Sequence, residues 1–351
     1  MKTIKRSLLI ALSTLFFVAC SSDDDNQPVY EPAAYENGVL VTNEGPFMNG
    51  SGSITYISND YATVSQNIYR TVNGTELGNI VQSMGFNNEN AYIVVNNSNK
   101  IMVANRYSFE AIDSITTGLV NPRFFESIDG NKGYVTNWGD PNDNSDDYVA
   151  VVDLRTNEIS ANISVAFGPE KMISHNNKVY VAHLGGYGQN NLISVISGTS
   201  VESTITVGDV PNSMVVKGNN LYVLCGGMPS YAGTETAGSL VKIDLSSGQV
   251  SETFAFETTQ HPSNLTIDGD NLLYSLDGKV YKVDTSSVTL PGTEIIEGYF
   301  YALQANNGKL YATDAGDFAS KGSLYIYDLS TNQQIQDFQT GIVPGGIYFN
   351  N

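Results

Sequence analysis

His183 and His261 are the residues of this 351-residue chain best suited to acid–base work or metal binding, because imidazole changes charge near neutral pH and ligates metals readily. No His/Glu cluster accompanies either in sequence, and the third histidine, His175, falls late in an expected strand. The acidic stretch DPNDNSDD, Asp140 to Asp147, offers a second chemistry. Asp140, Asn142 and Asn144 alternate like the first ligands of a calcium loop. Ser145, however, stands where that loop needs glycine, and Val151 where it needs its closing glutamate. The stretch therefore reads as a solvated acidic loop. Phosphate-binding glycine motifs, Cys/His zinc spacing and a serine triad are missing from the sequence. The expectation is a protein with no cofactor, no metal and no catalytic residues. Acid–base chemistry at His183 and His261 is the enzymatic alternative.

Whatever the chemistry, a repeat must carry it. The segments GVLVTNEG from Gly38, NAYIVVNN from Asn90, KGYVTNWG from Lys132 and KVYVAHLG from Lys178 align with one another. NLYVLCGG from Asn220, NLLYSLDG from Asn271 and KLYATDAG from Lys309 complete the set. The aligned positions are Leu40, Tyr92, Tyr134, Tyr180, Tyr222, Tyr274 and Tyr311, at spacings close to the ~40–45 residues of a propeller blade. A second alternating run follows each, often ending in Asp and a turn (VVDLRTNE, KIDLSSGQ). An outer run and a proline- or glycine-led run come next. Period-2 alternation between regularly spaced turns argues for strands throughout. Seven copies of four strands predict an all-β, seven-bladed propeller of antiparallel blades. The first copy lacks its proline-led strand, and the chain end, GIVPGGIYFNN, supplies one. Closure is expected near Gly346 to Asn350, beside Val39 to Thr42.

YVTN stands literally at Tyr134 to Asn137, and the region 38–351 resembles the YVTN or YncE-like propeller superfamily. The resemblance implies that proline-led strands line the channel and that two loop sets share one rim. In the first set the loops at 45–52, 138–147, 184–191, 225–238 and 315–322 are long, whereas 96–99 and 276–278 are tight. Stability alone needs no such variation, and rigid scaffolds place function on loops. The long loops carry Phe47, Met48, Trp138, Asp140, Asn142, Tyr187, Gln189, Met228, Tyr231 and Phe318. The second set adds Asn121, Arg123, Glu170, Lys171, Asn212, His261, Tyr299, Phe300 and Tyr301. Aromatics beside polar groups around one mouth predict a recognition face for a sizeable ligand.

The N-terminus gives an address. Lys2, Lys5 and Arg6 precede the apolar run Ser7 to Val18, which is shorter than the ~20 residues of a membrane span and reads as a secretory signal. Val18-Ala19-Cys20 resembles a bacterial lipobox, which implies cleavage after residue 19, lipidation of Cys20 and insertion into outer-membrane lipid. SSDDDN after Cys20 resembles the export signal of surface-displayed Bacteroidetes lipoproteins, and 20–37 reads as an acidic tether. Loss of residues 1–19 removes three of 17 cations, leaving fourteen against 36 acidic residues, or −22. Such a charge repels phosphate backbones and argues against nucleic acid as partner. Once Cys20 is acylated, Cys225 has no disulfide partner in the chain.

LVTNEGPF, LGNIVQSMGF with AYIVVNNSNKI, and YATDAGDF…GSLYIYDLS…GIVPGG resemble a narrower group of Bacteroidetes surface propeller lipoproteins. That group captures vitamin B12 and related corrinoids and passes them to a TonB-dependent transporter. The resemblance implies a corrinoid as ligand and such a transporter as partner. Two other readings stand beside it: a protein-interaction scaffold, and a lactonase- or lyase-like enzyme using His183 and His261.

Overall fold

The computed structural model describes residues 32–140, 143–186 and 188–351. The expected signal segment, Cys20, Asn142 and Tyr187 lie outside the described residues. The chain divides into residues 1–32 and a compact unit, Ala33–Asn351.

Seven four-stranded antiparallel sheets follow one another along that unit. Blade one holds β1 (Gly38–Asn43), β2 (Ser53–Ser58) and the two-residue β3 (Val64–Ser65), followed by the short helix α1 (Ile68–Asn73). Blade two is β4 (Val81–Asn87), β5 (Asn90–Val95), β6 (Lys100–Asn105) and β7 (Ala111–Ile115). Blade three is β8 (Pro122–Asp129), β9 (Lys132–Asn137), β10 (Tyr148–Asp153) and β11 (Glu158–Ser164). Blade four is β12 (Pro169–His175), β13 (Lys178–His183), β14 (Leu192–Ser197) and β15 (Ser200–Thr206). Blade five is β16 (Pro211–Lys217), β17 (Asn220–Cys225), β18 (Ser239–Asp244) and β19 (Gln249–Ala255). Blade six is β20 (Ser263–Asp268), β21 (Asn271–Leu276), β22 (Lys279–Asp284) and β23 (Thr293–Glu297). Blade seven is β24 (Ala302–Asn306), β25 (Lys309–Asp314), β26 (Lys321–Asp328) and β27 (Gln333–Ile342). The last strand, β28 (Pro344–Asn350), returns to pair with β1, with Val39 opposite Phe349 and Thr42 opposite Gly346. The predicted closure is observed.

Burial explains the sequence pattern. The second strands, such as β5 and β17, are buried along almost their whole length and read as continuous apolar runs, because a neighbouring blade covers each face. The outer strands face solvent, and β19 is exposed at nearly every position. Among the described residues the apolar core is not one mass but seven clusters, one at each blade–blade interface. The cluster joining Tyr311, Leu324 and Ile326 to Val39, Val41, Ile57 and Ile347 seals blade seven against blade one. Ile68 and Tyr69 of α1 fill the outer gap between blades one and two that the short β3 leaves.

One repeat position is corrected. Asn271 pairs with Asp284 and Leu273 with Lys282, just as Asn220 pairs with Asp244 and Tyr222 with Lys242. The blade-six equivalent of Tyr222 is therefore Leu273, not Tyr274. A slip of one residue reverses the face, so Tyr274 packs toward blade five while Leu273 packs toward blade seven.

Candidate functional site

The rim is built by a device repeated at the start of the innermost strands. In β4 the ladder jumps from Val81 to Ser83, leaving Gln82 as an extra residue. In β8 Arg123 and Phe124 together oppose the single residue Thr136, and in β12 Glu170 and Lys171 together oppose Ala182. β16 has Asn212 in the same role, β20 has Asn264 and Leu265, and β28 has Gly345. A bulge of this kind leaves residues out of the ladder and re-aims their side chains. Gln82, Arg123 and Asn212 are thereby delivered to the mouth, while Phe124, Lys171 and Leu265 line the channel below it.

Just ahead of five of these strands sits a residue with positive φ: Ile80, Asn121, Gly168, Val210 and Val343. Its carbonyl accepts the N–H of a residue just beyond the second strand of the same blade, as in Asn96 to Ile80 (2.8 Å), Gly226 to Val210 (2.8 Å) and Glu44 to Val343 (2.9 Å). The two loop sets are stitched into one surface. Three of the five are β-branched residues, for which this backbone conformation is strained.

Trp138 belongs to a second set of ties. Its indole N–H donates to the Pro169 carbonyl of blade four at 3.0 Å. Asn96 makes the same kind of bond to Pro122 (3.1 Å), Asn212 to Pro262 (2.8 Å) and Asn264 to Phe300 (3.2 Å). Trp138 is thus a blade-to-blade tie, and its ring is covered by the Arg123 guanidinium, 3.9 Å from the centroid. Arg123 in turn grips Glu170 with two N–H groups at 2.9 and 2.7 Å, the side chains 15% and 8% exposed. The Tyr301 hydroxyl donates to Glu44 at 2.9 Å. Burial pushes the Glu44 carboxyl upward, while the Tyr301 hydroxyl and the Arg123 charge partly oppose this.

Among the described residues, clefts run along this rim in a chain of three. The first, about 230 Å³, lies among Glu44, Phe47, Gln82, Arg123, Trp138 and Tyr301. Tyr301 is shared with the second, about 440 Å³, which Tyr299, Phe318 and Asp277 also line. His261 and Ser263 are shared with the third, about 510 Å³, which holds Gln189, Asn212 and Tyr231. Phe47 (77% exposed), Tyr299 (82%) and Tyr231 (88%) stand over them in solvent.

Among the residues named from sequence, Phe47, Asn121, Arg123, Trp138, Gln189, Asn212, Tyr231, His261, Tyr299, Phe300, Tyr301 and Phe318 line these clefts. Met48, Asp140 and Met228 line none of the three. Glu44, Gln82, Asn96 and Asp277 line them and were not singled out. Glu44 follows directly on the second-strand motif in LVTNEG, which was the available signal.

His183 is corrected as well. It ends β13 with no exposed surface instead of standing on a rim loop. Nδ1–H donates to the Phe167 carbonyl at 3.2 Å and Nε2 accepts from the Ser194 hydroxyl at 2.8 Å. Burial lowers its pKa to about 4, so it stays neutral. His261 has its own partners, the Gly226 carbonyl (2.8 Å) and Glu235 (3.0 Å). Among the described residues no cluster of three or more His, Cys, Asp or Glu has the arrangement to hold a metal.

The acidic loop ends in a buried charge. Asp147 accepts the Gly168 N–H at 3.0 Å through Oδ1, while its buried Oδ2 finds no partner among the described residues. Burial, aided by the Asp146 charge, raises its pKa to about 6. An acid whose folded pKa is raised binds its proton more readily in the folded state, so stability rises as pH falls through about 6 and the gain is complete below the unfolded value near 4. Asp147→Asn is therefore expected to stabilise the protein at pH 7.5 by about 1–2 kcal/mol after allowance for screening. Thermal melts should show that advantage fading by pH 4, and an advantage that grew toward low pH would contradict the assignment.

The fold and rim together define a seven-bladed β-propeller that presents an aromatic crown over polar clefts. The chain belongs to the family described as a domain of unknown function, DUF5074, whose model matches residues 37–349. Similar solved structures include the computationally designed Ika8 protein, with 10% identity, TM-score 0.58 and coverage of 89% of this chain and 91% of that one. Kuenenia stuttgartiensis hydrazine synthase is similar at 18% identity and TM-score 0.57 over 73% and 85% of the two chains. BamB from Moraxella catarrhalis is similar at 15% identity and TM-score 0.50 over 89% and 85%. At these identities the likeness is one of fold. No curated protein matches.

Proposed function

We propose that this protein is a surface-tethered lipoprotein whose rim binds a corrinoid and hands it to a TonB-dependent outer-membrane transporter, without catalysing a reaction. The observation that carries the reading is the run of three clefts linked through Tyr301 and His261, overhung by exposed aromatics and edged with amides and carboxyls. A corrinoid is broad, amphipathic and rich in amides. Such a ligand needs flat apolar platforms and many separate hydrogen-bonding groups spread over an area wider than one small-molecule pocket. Anchoring through Cys20 would hold the rim outside the outer membrane.

The test is calorimetric titration of cyanocobalamin into the chain from Gln27 onward. One-to-one saturable binding is expected, weakened about tenfold or more by Tyr231→Ala, because exposed aromatic anchors commonly carry more than 1–2 kcal/mol of a binding face. Trp138→Ala should weaken it too, with some loss of stability from the severed tie to Pro169. Absence of heat and of thermal stabilisation across a corrinoid series would sink the reading and leave the protein-interaction scaffold in its place.

A further inference from the structure

The central channel below the rim holds a cavity of about 470 Å³ to which all seven innermost strands contribute. Its wall is about half polar and half apolar, with Met84, Phe124, Met172, Met214, Leu303 and Tyr348 among the residues lining it. Two charged side chains also line it, Glu126 and Lys171. Glu126 is engaged: its Oε1 accepts the Ser174 N–H of the next blade at 2.9 Å. Lys171 is not. Among the described residues its ammonium makes no hydrogen bond and no ion pair, and the one carboxylate that acts on it, Glu170, is already gripped twice by Arg123.

The local fold explains how a lysine comes to be there. A regular strand would send consecutive side chains to opposite faces. In β12 the bulge sets Glu170 and Lys171 together against Ala182. Glu170 meets Arg123 at the mouth, while Lys171 joins the channel wall. Taking an ammonium partly out of water without a counter-charge is costly. Burial accordingly pushes its pKa down. A group of this kind is satisfied by an incoming anion.

We propose that the channel is a second binding site, which takes a small monocarboxylate with an apolar body and holds its carboxylate against Lys171. The charge-assisted bond to the ammonium supplies direction, and the Met- and Phe-rich wall accepts the hydrocarbon. The cavity volume falls in the ~300–1,000 Å³ range of small-ligand sites. A single cation and the chain's formal charge of −19 favour one negative charge over several. The inference does not rest on what the rim binds.

The probe is octanoate, with octan-1-ol as its uncharged counterpart, titrated into wild type, Lys171→Met and Lys171→Arg. Saturable octanoate binding is expected, weakened about 10- to 100-fold in Lys171→Met, as loss of a bond between charged groups implies, and largely kept in Lys171→Arg. Octan-1-ol should bind wild type and Lys171→Met alike. Lys171→Met should melt at or above the wild-type temperature, because it removes a partly buried ammonium that makes no hydrogen bond or ion pair among the described residues. Equal octanoate affinity in wild type and Lys171→Met would overturn the proposal. So would the absence of octanoate binding to wild type with Kd below about 1 mM. A clearly lower melting temperature for Lys171→Met would overturn it as well, by revealing a structural partner for the ammonium.

Discussion

Removal of residues 344–351 is expected to abolish cooperative folding of the whole unit. The cut deletes β28, the innermost strand of blade one, and with it six aligned partners of β1. Ile347 leaves the cluster that seals blade seven to blade one. Tyr348, whose oxygen accepts the Met84 N–H at 2.9 Å, leaves the joint to blade two. The amide of Asn350, which donates to the carbonyls of Tyr35 and Arg106 at 2.6 and 2.7 Å, is lost too. Losing one strand's ladder and its share of two interfaces costs on the order of 10 kcal/mol, which matches the entire ~5–15 kcal/mol stability of a typical folded protein. It also exposes an unpaired strand edge, a template for aggregation. Urea denaturation followed by circular dichroism is the check. A truncated protein with an intact sigmoidal transition would show that the ring tolerates an open seam.

Arg123→Met should lower stability by about 3–5 kcal/mol, because it leaves Glu170 charged and buried without its partner. The double variant Arg123→Met/Glu170→Leu should recover most of that loss, since well-packed apolar residues often replace a buried pair without penalty. The contrast separates two roles for the pair. If it exists for stability, both variants should be equally weak. If it positions the mouth, the double variant should fold well and yet lose ligand binding, because the Trp138 ring loses the guanidinium stacked on it. Denaturation midpoints with unchanged slopes, read beside calorimetric titration, distinguish the two.

The blades were legible in the sequence because each leaves a repeated chemical mark. The buried second strands give apolar runs. The corners after Asp153, Asp244, Asp284 and Asp328 are held by each carboxylate accepting a backbone N–H two residues on, at 2.7 to 3.0 Å. That is why an aspartate before a turn was a dependable signpost. Ring closure was legible from a strand missing at one end and present at the other. The Tyr274 register was not: NLLY places a tyrosine one step late, and only the ladder to β22 shows which residue faces which blade. The site was half legible. Exposed aromatics on long loops announce themselves, as Tyr231 and Phe318 do. His183 did not, because a strand's last residue and a loop's first look alike in sequence, and only the bonds to Phe167 and Ser194 settle the matter. Gln82 and Lys171 owe their places to bulges, which depend on pairing between strands and leave no mark on either strand alone.

Those same bulges divide the labour of mutation. A residue outside the hydrogen-bond ladder can be exchanged without shifting the register of its neighbours. At the mouth, Gln82 behaves as an interchangeable tooth set into a fixed wheel, whereas Asn212 and Arg123 double as ties between neighbouring blades. Lineages sharing this wheel are free to change what they recognise one tooth at a time, while the seven interfaces that hold the wheel together remain under separate constraint. Homologues of similar stability should therefore differ most at the bulged positions and the long loops above them. If the rim binds as proposed, ligand preference would then be a property of individual chains and not of the family.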